Sequence, residues 1–225
     1  MLHLEAIEHR FEGRSAGAPP ALDIPSLSMK AGRLTVIRGP SGSGKTTLLY
    51  VLSGLVRPTS GQVRWDSVDI AGLGEGARDR WRRRNAGVVF QNFNLIEEMS
   101  PLGNVTLAAY FSAFTDSHVR ARGRSLLEQF GVPDEARHVS SYSRGEQQRV
   151  ALARALVFDP PILFADEPTA SLDEANSAEL CQSFKRLASE GRTVVAVSHD
   201  PLLIEAADAV VRLDHGRVVE RELVA

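Results

Sequence analysis

The sequence is poor in cysteine and aromatic residues, and its charges nearly cancel. Cys181 is its only cysteine, aromatic residues make up 6%, and the formal net charge is −2. A single cysteine excludes an intrachain disulfide, and a reducing compartment is the simple expectation. Because the net charge is so small, the overall field gives no argument for nucleic acid or an anionic membrane surface as a partner. The remaining composition is that of a globular protein with one substantial core.

Long apolar runs are also absent. The longest candidate, residues 150–165, is interrupted by Arg154, Asp159 and two prolines. It therefore falls short of the ~20 apolar residues that a membrane-spanning helix needs. Glu5 lies too early for a secretory signal peptide. We expect a chain that does not cross a membrane.

A glycine-rich stretch between an apolar strand and an apolar helix dominates the sequence. Leu34, Val36 and Ile37 predict a buried strand, and helical apolar spacing begins at Leu48. Between them the pattern G-x-x-x-x-G-K-[ST] is filled by Gly39, Pro40, Ser41, Gly42, Ser43, Gly44, Lys45 and Thr46. Strand, glycine loop and helix in this order predict a phosphate-binding loop. An ordinary glycine-rich turn is the alternative, and it does not require all of these fixed positions.

The residue types in this loop suit a nucleotide. Glycines let the backbone curl around phosphates, and the helix N-terminus directs N–H groups at the anion. Lys45 would neutralise the β- and γ-phosphates, and the Thr46 hydroxyl would hold Mg²⁺.

A second apolar strand, predicted over residues 162–165, leads into Asp166 and Glu167. At the end of the strand Asp166 can reach Mg²⁺ through its water shell. Glu167 could orient and deprotonate an attacking water. Adjacent residues of a strand point to opposite faces, so we expect the two acids to occupy different environments. An exposed pair of strand-end acids is the alternative.

The rest of the chain alternates strands and helices around a helical insertion. Strands are predicted over residues 2–11, 22–34 with a turn at 31–32, 62–70, 86–90 and 193–197, and a hairpin over 209–213 and 217–222. Helices are predicted over residues 77–85, 102–112, 117–130, 144–158 and 174–190. Cys181 would pack in the core from the last of these helices. No internal repeat occurs, so the chain has one phosphate loop.

Further motifs resemble those of the ATP-binding subunit of ABC transporters, and the resemblance covers nearly the whole chain. Gln91 matches that family's Q-loop, residues 142–149 its signature, 171–173 its D-loop and 198–200 its switch histidine. The resemblance implies an α/β fold: a P-loop NTPase core of ABC type with a mixed sheet, an antiparallel β subdomain and an inserted helical subdomain. One ATPase domain over residues 1–225 is expected, with its core in 1–91 and 159–225 and the helical subdomain in 92–158.

The same resemblance assigns roles to individual residues. Phe11 would stack on adenine, Gln91 would ligate Mg²⁺ or the attacking water, and His199 would hold the water against Glu167. The implied nucleotide-binding set is Phe11, Gly39, Pro40, Ser41, Gly42, Ser43, Gly44, Lys45, Thr46, Thr47, Ser143, Gly145, Glu146 and Asp173. The implied metal set is Thr46, Gln91 and Asp166, and the catalytic set is Glu167, His199 and Gln91. With one loop and one signature per chain, the resemblance implies a homodimer enclosing two ATPs with Mg²⁺.

The signature departs from the family pattern. Tyr142 and Arg144 replace the first and third residues of the usual Leu-Ser-Gly-Gly. Arg144 adds a side chain near phosphate and a positive charge at a helix N-terminus, which opposes the helix dipole. Because Ser143 and Gly145 are kept, we expect a working site. Phe11 in place of the common tyrosine loses only a hydroxyl.

Within the family, Ala165 and residues 145–149 resemble the branch of lipoprotein-release, macrolide-efflux and cell-division ATPases. The implied partner is a permease contacted along the stretch from Phe93 to Met99, at the cytoplasmic face of the inner membrane, with no nucleic acid. The alternatives are the ATPase of an amino-acid-type importer, a low-turnover cell-division-type regulator, and a soluble ABC ATPase acting on ribosomes or DNA. The last usually has two cassettes or long coiled coils, and this chain has neither.

Overall fold

The computed structural model describes residues 1–11, 13, 17–111, 116–132 and 137–223, which form two sheets flanked by helices. The smaller sheet is antiparallel, in the order β2-β1-β4-β5. Its strands are β1 (Leu2–His9), β2 (Leu22–Met29), β4 (Ser60–Trp65) and β5 (Val68–Asp69). The single strand predicted over residues 62–70 is wrong, because the chain turns at Asp66, which has a φ of 50°, and returns as β5.

The larger sheet carries the predicted phosphate loop. Its order is β10-β9-β3-β8-β7-β6, with β3 (Leu34–Arg38), β6 (Ala86–Val89), β7 (Ile162–Asp166), β8 (Thr193–Val197), β9 (Ala209–Asp214) and β10 (Arg217–Leu223). All pairs are parallel except β9 with β10, so the sheet is mixed, as expected. β7 and β8 are buried at every position, which fits their unbroken apolar sequences and a sheet covered on both faces.

Seven α-helices accompany the sheets in the described part of the chain. They are α1 (Lys45–Leu52), α2 (Glu75–Asn85), α3 (Pro101–Thr106), α4 (Asp116–Gln129), α5 (Arg144–Leu156), α6 (Glu174–Ser189) and α7 (Pro201–Ala206). The helix predicted over residues 102–112 is α3 followed by a 3₁₀ turn (Leu107–Phe111), and Ser112 lies outside the described residues. The short α7 was not predicted; Asp200 caps it, and Pro201 occupies its first position. Nowhere in the described ranges is a helix both long and apolar enough to cross a membrane.

Two buried apolar clusters lie on opposite faces of the larger sheet. Leu34 and Val36 of β3 belong to the cluster shared with α3, α4, α5 and α6. Ile37 belongs to the other cluster, which α1 and the antiparallel sheet complete. Cys181 is buried in the first cluster as predicted, and burial raises the pKa of its thiol to about 11. A thiol with so high a pKa stays protonated at neutral pH and is a poor nucleophile.

The pairing of β1 with β4 contains a β-bulge. The pairing register shifts between Glu5 and Glu8, and Ala6 has a φ of 49°. A Cβ at Gly61 of β4, which has a φ of 95°, would lie 2.4 Å from the carbonyl oxygen of Ala6. The bulge therefore requires glycine at position 61 for both its backbone conformation and its lack of a side chain.

We expect Gly61→Ala to lower the free energy of unfolding by about 3 kcal/mol, from left-handed strain plus the steric conflict. Gly131→Ala is the matched control, because Gly131 also has a positive φ of 64° but nothing lies near its Cβ position. That variant should lose only about 1 kcal/mol. Urea denaturation measures both variants, and equal losses would show that the contact at the bulge is unimportant.

Candidate nucleotide-binding and catalytic site

The predicted phosphate loop connects β3 to α1. Gly39, Gly42 and Gly44 have φ values of 155°, 77° and 99°. A Cβ at Gly39 would lie 2.0 Å from the carbonyl oxygen of Leu213, and one at Gly44 would lie 2.7 Å from that of Ala21. Backbone conformation and lack of space therefore both require glycine at positions 39 and 44.

Polar groups inside this loop match a phosphate ligand. The Lys45 ammonium donates to the carbonyl oxygens of Gly39 at 2.9 Å and Pro40 at 3.0 Å. The Ser43 hydroxyl is buried and has no hydrogen-bond partner among the described residues. A buried cation and an unsatisfied hydroxyl at the start of a helix are groups that an anion would satisfy.

Asp166 lies at the end of β7, next to the first turn of α1. Its Oδ1 accepts a hydrogen bond from the Thr46 hydroxyl at 3.0 Å, and this carboxylate also interacts electrostatically with Tyr50. Burial raises the pKa of Asp166, while Thr46, Tyr50 and the Lys45 charge oppose the rise. Sequence reasoning missed Tyr50. The available signal was its place four residues after Thr46, on the same face of α1.

Glu167 has already left the strand, with a φ of 44° and its N–H bonded to the carbonyl of Val197 at 2.9 Å. The prediction that strand alternation points the two acids to opposite faces is therefore wrong. Glu167 lies in a turn after the strand, and this turn sets the direction of its side chain. Its Oε1 lies 3.2 Å from Nε2 of His199. Burial raises the pKa of Glu167, and His199 and Lys45 oppose the rise. The structure thus places the predicted base and the predicted switch histidine in contact.

One cavity of about 640 Å³ brings most of the predicted residues together. Its walls include Phe11, Ser41, Gly42, Gly44, Lys45, Thr46, Thr47, Gln91, Glu167 and His199, together with residues 19–21, His215 and Gly216. Phe11 is 46% exposed, and His9 packs edge-to-face against its ring at 4.9 Å. An exposed aromatic ring and a lysine in a glycine loop, both on the wall of one cavity, suit a base and a polyphosphate.

Three oxygen-bearing side chains of the site also suit Mg²⁺: those of Thr46, of Asp166, which is bonded to Thr46, and of Gln91, which lines the same cavity as Thr46. A hydroxyl, the Asp166 carboxylate and the Gln91 amide oxygen are hard ligands, and Mg²⁺ usually takes few protein ligands besides substrate phosphates. Within the described ranges, no three His, Cys, Asp or Glu residues form a metal-binding cluster. An all-protein metal cage is therefore not the arrangement seen in this part of the chain.

The predicted signature residues form a separate group at the start of α5. Ser143 caps the helix: its hydroxyl accepts from the Glu146 N–H at 3.3 Å, and its own N–H donates to the Glu146 carboxylate at 2.8 Å. These bonds to Ser143 lower the pKa of Glu146. A Cβ at Gly145 would lie 2.5 Å from Oδ1 of Asn176, so α5 begins directly against α6.

Asp173 caps α6 beside this group, accepting from the Asn176 N–H at 2.8 Å, and this bond lowers the pKa of the carboxyl. Ser143, Gly145, Glu146 and Asp173 therefore lie together. None of them is on the wall of the cavity that contains Lys45.

Arg144, where the signature departs from the family pattern, lies against an aromatic ring. Its exposed guanidinium lies 5.9 Å from the centre of the Phe93 ring, within cation–π range. The charge introduced at this helix N-terminus is therefore turned towards the segment that follows Gln91.

That segment is bonded to the helices. Phe93 and Asn94 both have positive φ values, 59° and 48°, and the Arg154 guanidinium donates to both carbonyl oxygens, to Asn94 at 2.6 Å. The buried Asn104 amide accepts from the Ile96 N–H at 2.7 Å and donates to its carbonyl at 3.0 Å. Sequence reasoning missed Arg154 and Asn104, because a lone polar residue in an apolar helix does not identify a partner far along the chain.

The comparisons with known proteins all indicate the same family. The profile of the ABC transporter family matches residues 22–170, more than half of the chain. A macrolide export ATP-binding/permease protein, MacB 1/2 of Paracoccus denitrificans, is 43% identical over 194 residues, which are 86% of this chain but 29% of that protein. The chain thus spans less than a third of that relative's length.

Two further matches extend over most of both chains. The lipoprotein-releasing system ATP-binding protein LolD of Chromohalobacter salexigens is 40% identical over 88% of this chain and 85% of its own. The ATP-binding cassette MJ0796, solved as a post-hydrolysis dimer with ADP and Pi, superposes with a TM-score of 0.91 and 34% identity over 100% of this chain and 99% of that one. The fold is that of an ABC-type ATPase, as predicted.

We expect Arg154→Met to lower the free energy of unfolding by about 3 kcal/mol, since two carbonyls lose their donor. Arg154→Lys should lose less, because one ammonium can still donate to one carbonyl. Arg120→Met, at an exposed position of α4, is the control and should stay within about 0.5 kcal/mol of the parent. Chemical denaturation compares the three, and a neutral Arg154→Met would show that the guanidinium does not support the segment.

Proposed function

The chain belongs to the ABC transporter family, and we propose that it is an ATP-binding subunit that hydrolyses ATP to drive a separate membrane permease. The observation that carries the proposal is the cavity where the phosphate loop, Gln91, Glu167 and His199 meet. A phosphate loop and a catalytic base alone would suit many phosphate-transfer enzymes. Membership of the ABC transporter family favours ATP hydrolysis as the reaction.

In this proposal each residue has a defined task. Lys45 exchanges its bonds to the loop carbonyls for bonds to phosphate oxygens. Thr46, Asp166 and Gln91 would hold Mg²⁺, which would supply charge neutralisation at the β- and γ-phosphates. Glu167 accepts the proton of the attacking water, and His199, 3.2 Å away, fixes the orientation of the carboxylate. Phe11 stacks on the base.

A head-to-tail homodimer follows from the separation of the two groups of residues. Ser143, Gly145, Glu146 and Asp173 do not line the cavity of their own chain. They would instead contact the nucleotide held by a second copy, so that two ATPs are enclosed between two chains. MJ0796, which shares the fold, is dimeric in its post-hydrolysis state with ADP and Pi, and this supports the proposal.

The proposed partner is a permease of the macrolide-efflux or lipoprotein-release type. One relative is named as an ATP-binding/permease protein for macrolide export and another as the ATP-binding protein of a lipoprotein-releasing system. The contact surface would be the stretch from Phe93 to Met99, carried by a helical subdomain of residues 92–158, with the core in 1–91 and 159–225. The subunit would then act at the cytoplasmic face of the inner membrane.

Co-purification from native membranes with a tag on this chain tests the choice of partner. A permease with few spans and a large outer domain supports the proposal. A many-span uptake permease, or ribosomes without any membrane protein, contradicts it.

We expect Glu167→Gln to bind ATP, to hydrolyse it at least about 100-fold more slowly, and to accumulate as a dimer, because the water loses its base. Single-turnover assays and light scattering with ATP and Mg²⁺ measure the two effects. Glu128→Gln, an exposed change on α4 away from the cavities that Lys45, Glu167 and His199 line, is the control and should hydrolyse ATP normally. A Glu167→Gln protein that remains monomeric with ATP, Mg²⁺ and its permease would rule out the enclosed dimer.

Lys45→Ala should weaken ATP binding about 10- to 100-fold, the effect of losing charge-assisted bonds to phosphate. Lys185→Ala removes the same charge from α6, outside the cavity that contains Lys45, and should bind ATP like the parent. Calorimetric titration with ATP compares the two, and unchanged affinity in Lys45→Ala would remove the lysine from the proposed site.

A further inference from the structure

A second cavity lies between the two sheets, at the end of β3 opposite the phosphate loop. It has a volume of about 170 Å³ and opens between the end of β2 and the edge formed by β9 and β10. This volume is far above the ~10–15 Å³ that one water needs and below the ~300–1,000 Å³ of drug-sized sites. Its size therefore suits a small organic molecule.

The mouth of this cavity carries an excess of positive charge. Lys30, Arg33 and Arg221 line it, and Asp208 is the only acid on its walls. Both oxygens of Asp208 are engaged, one by the Arg33 guanidinium at 3.0 Å and the other by the Leu34 N–H at 2.8 Å. Lys30 and Arg221 form no ion pair with any other residue that the structure describes. Within the described residues these two exposed cations therefore have no ion-pair partner.

The interior of the cavity is apolar with a hydroxyl on one wall. Met29 and Val211 are almost fully buried and form its floor, while Leu223, 65% exposed, stands at its lip. Thr35, which is 2% exposed, also lines the cavity. An apolar floor and a cationic mouth suit an amphipathic anion with its charged end outwards.

We propose that this cavity binds a small organic anion, a carboxylate or phosphate monoester with a short apolar body. Lys30 and Arg221 hold the anionic group, and the apolar body lies against Met29 and Val211. The ligand would tie β2 of the antiparallel sheet to β9 and β10 of the larger sheet. The proposal does not depend on ATP hydrolysis, since none of these residues lines the nucleotide cavity.

Calorimetric titration of the whole chain tests the proposal, with the nucleotide site saturated by Mg²⁺ and a non-hydrolysable ATP analogue. Hexanoate and hexyl phosphate are the probes; 1-hexanol lacks the charge and inorganic phosphate lacks the apolar body. We expect saturable binding of one or both probes, with 1-hexanol and inorganic phosphate at least about tenfold weaker. No saturable binding of either probe, or equal binding of 1-hexanol, would overturn the proposal. Probes that bind only when the ATP analogue is left out would lie in the phosphate loop, and this result would also overturn the proposal.

Substitutions in the cavity, with matched controls elsewhere, test where the probes bind. Lys30→Gln with Arg221→Gln should weaken the bound probe about tenfold or more, because two charge-assisted contacts are lost. Arg80→Gln with Arg83→Gln removes the same charge from exposed positions of α2 and should bind like the parent. An equal loss in both double variants would show non-specific attraction and contradict the assignment. Val211→Phe, which fills the floor and leaves the cations in place, should abolish binding; unchanged binding in a folded Val211→Phe protein would equally contradict it.

Discussion

Close backbone packing at Gly39, Gly44 and Gly216 is the constraint on which the rest of the structure depends. A Cβ at any of the three would come within 2.7 Å of a backbone oxygen of Ala21 or Leu213. The Gly216 N–H also bonds to the Ser43 carbonyl at 2.9 Å. The phosphate loop, the β9–β10 turn and the entry to β2 therefore meet without intervening side chains. A loop of flexible residues takes one shape because both sheets dictate it.

The electrostatics of the nucleotide site follow from this rigid loop. Burial raises the pKa values of Asp166 and Glu167, and each acid has its own opposing partners, Thr46 and Tyr50 for the first and His199 for the second. The charge of Lys45 opposes the rise in both pKa values, and the phosphate loop holds the Lys45 side chain in place. Two carboxylates can thus stand beside an anion-binding loop because their charges are separately compensated.

Local patterns in the sequence predicted the parts of the fold that local physics determines. Glycine spacing identified the phosphate loop, and apolar periodicity identified β7, α5 and α6 closely. The split of β4 and β5 was missed because it depends on a left-handed residue, Asp66, without a glycine signal. The bonds from Arg154 to Phe93 and Asn94 were missed because they join residues some sixty positions apart, and no single stretch encodes both ends. The roles of the site residues remain predictions, although the structure brings most of them to one cavity.

The attachment of residues 93–96 to the helices has a mechanical consequence. Arg154 and Asn104 hold this stretch to α5 and α3, whereas Gln91, two residues earlier, lies at the cavity with Glu167 and His199. A load applied to the stretch therefore reaches the larger sheet by two routes. One runs along the chain through Gln91 and Asn92 to the end of β6. The other runs through α5, which packs so closely against β6 that a Cβ at Gly87 would lie 2.3 Å from the carbonyl oxygen of Ala155.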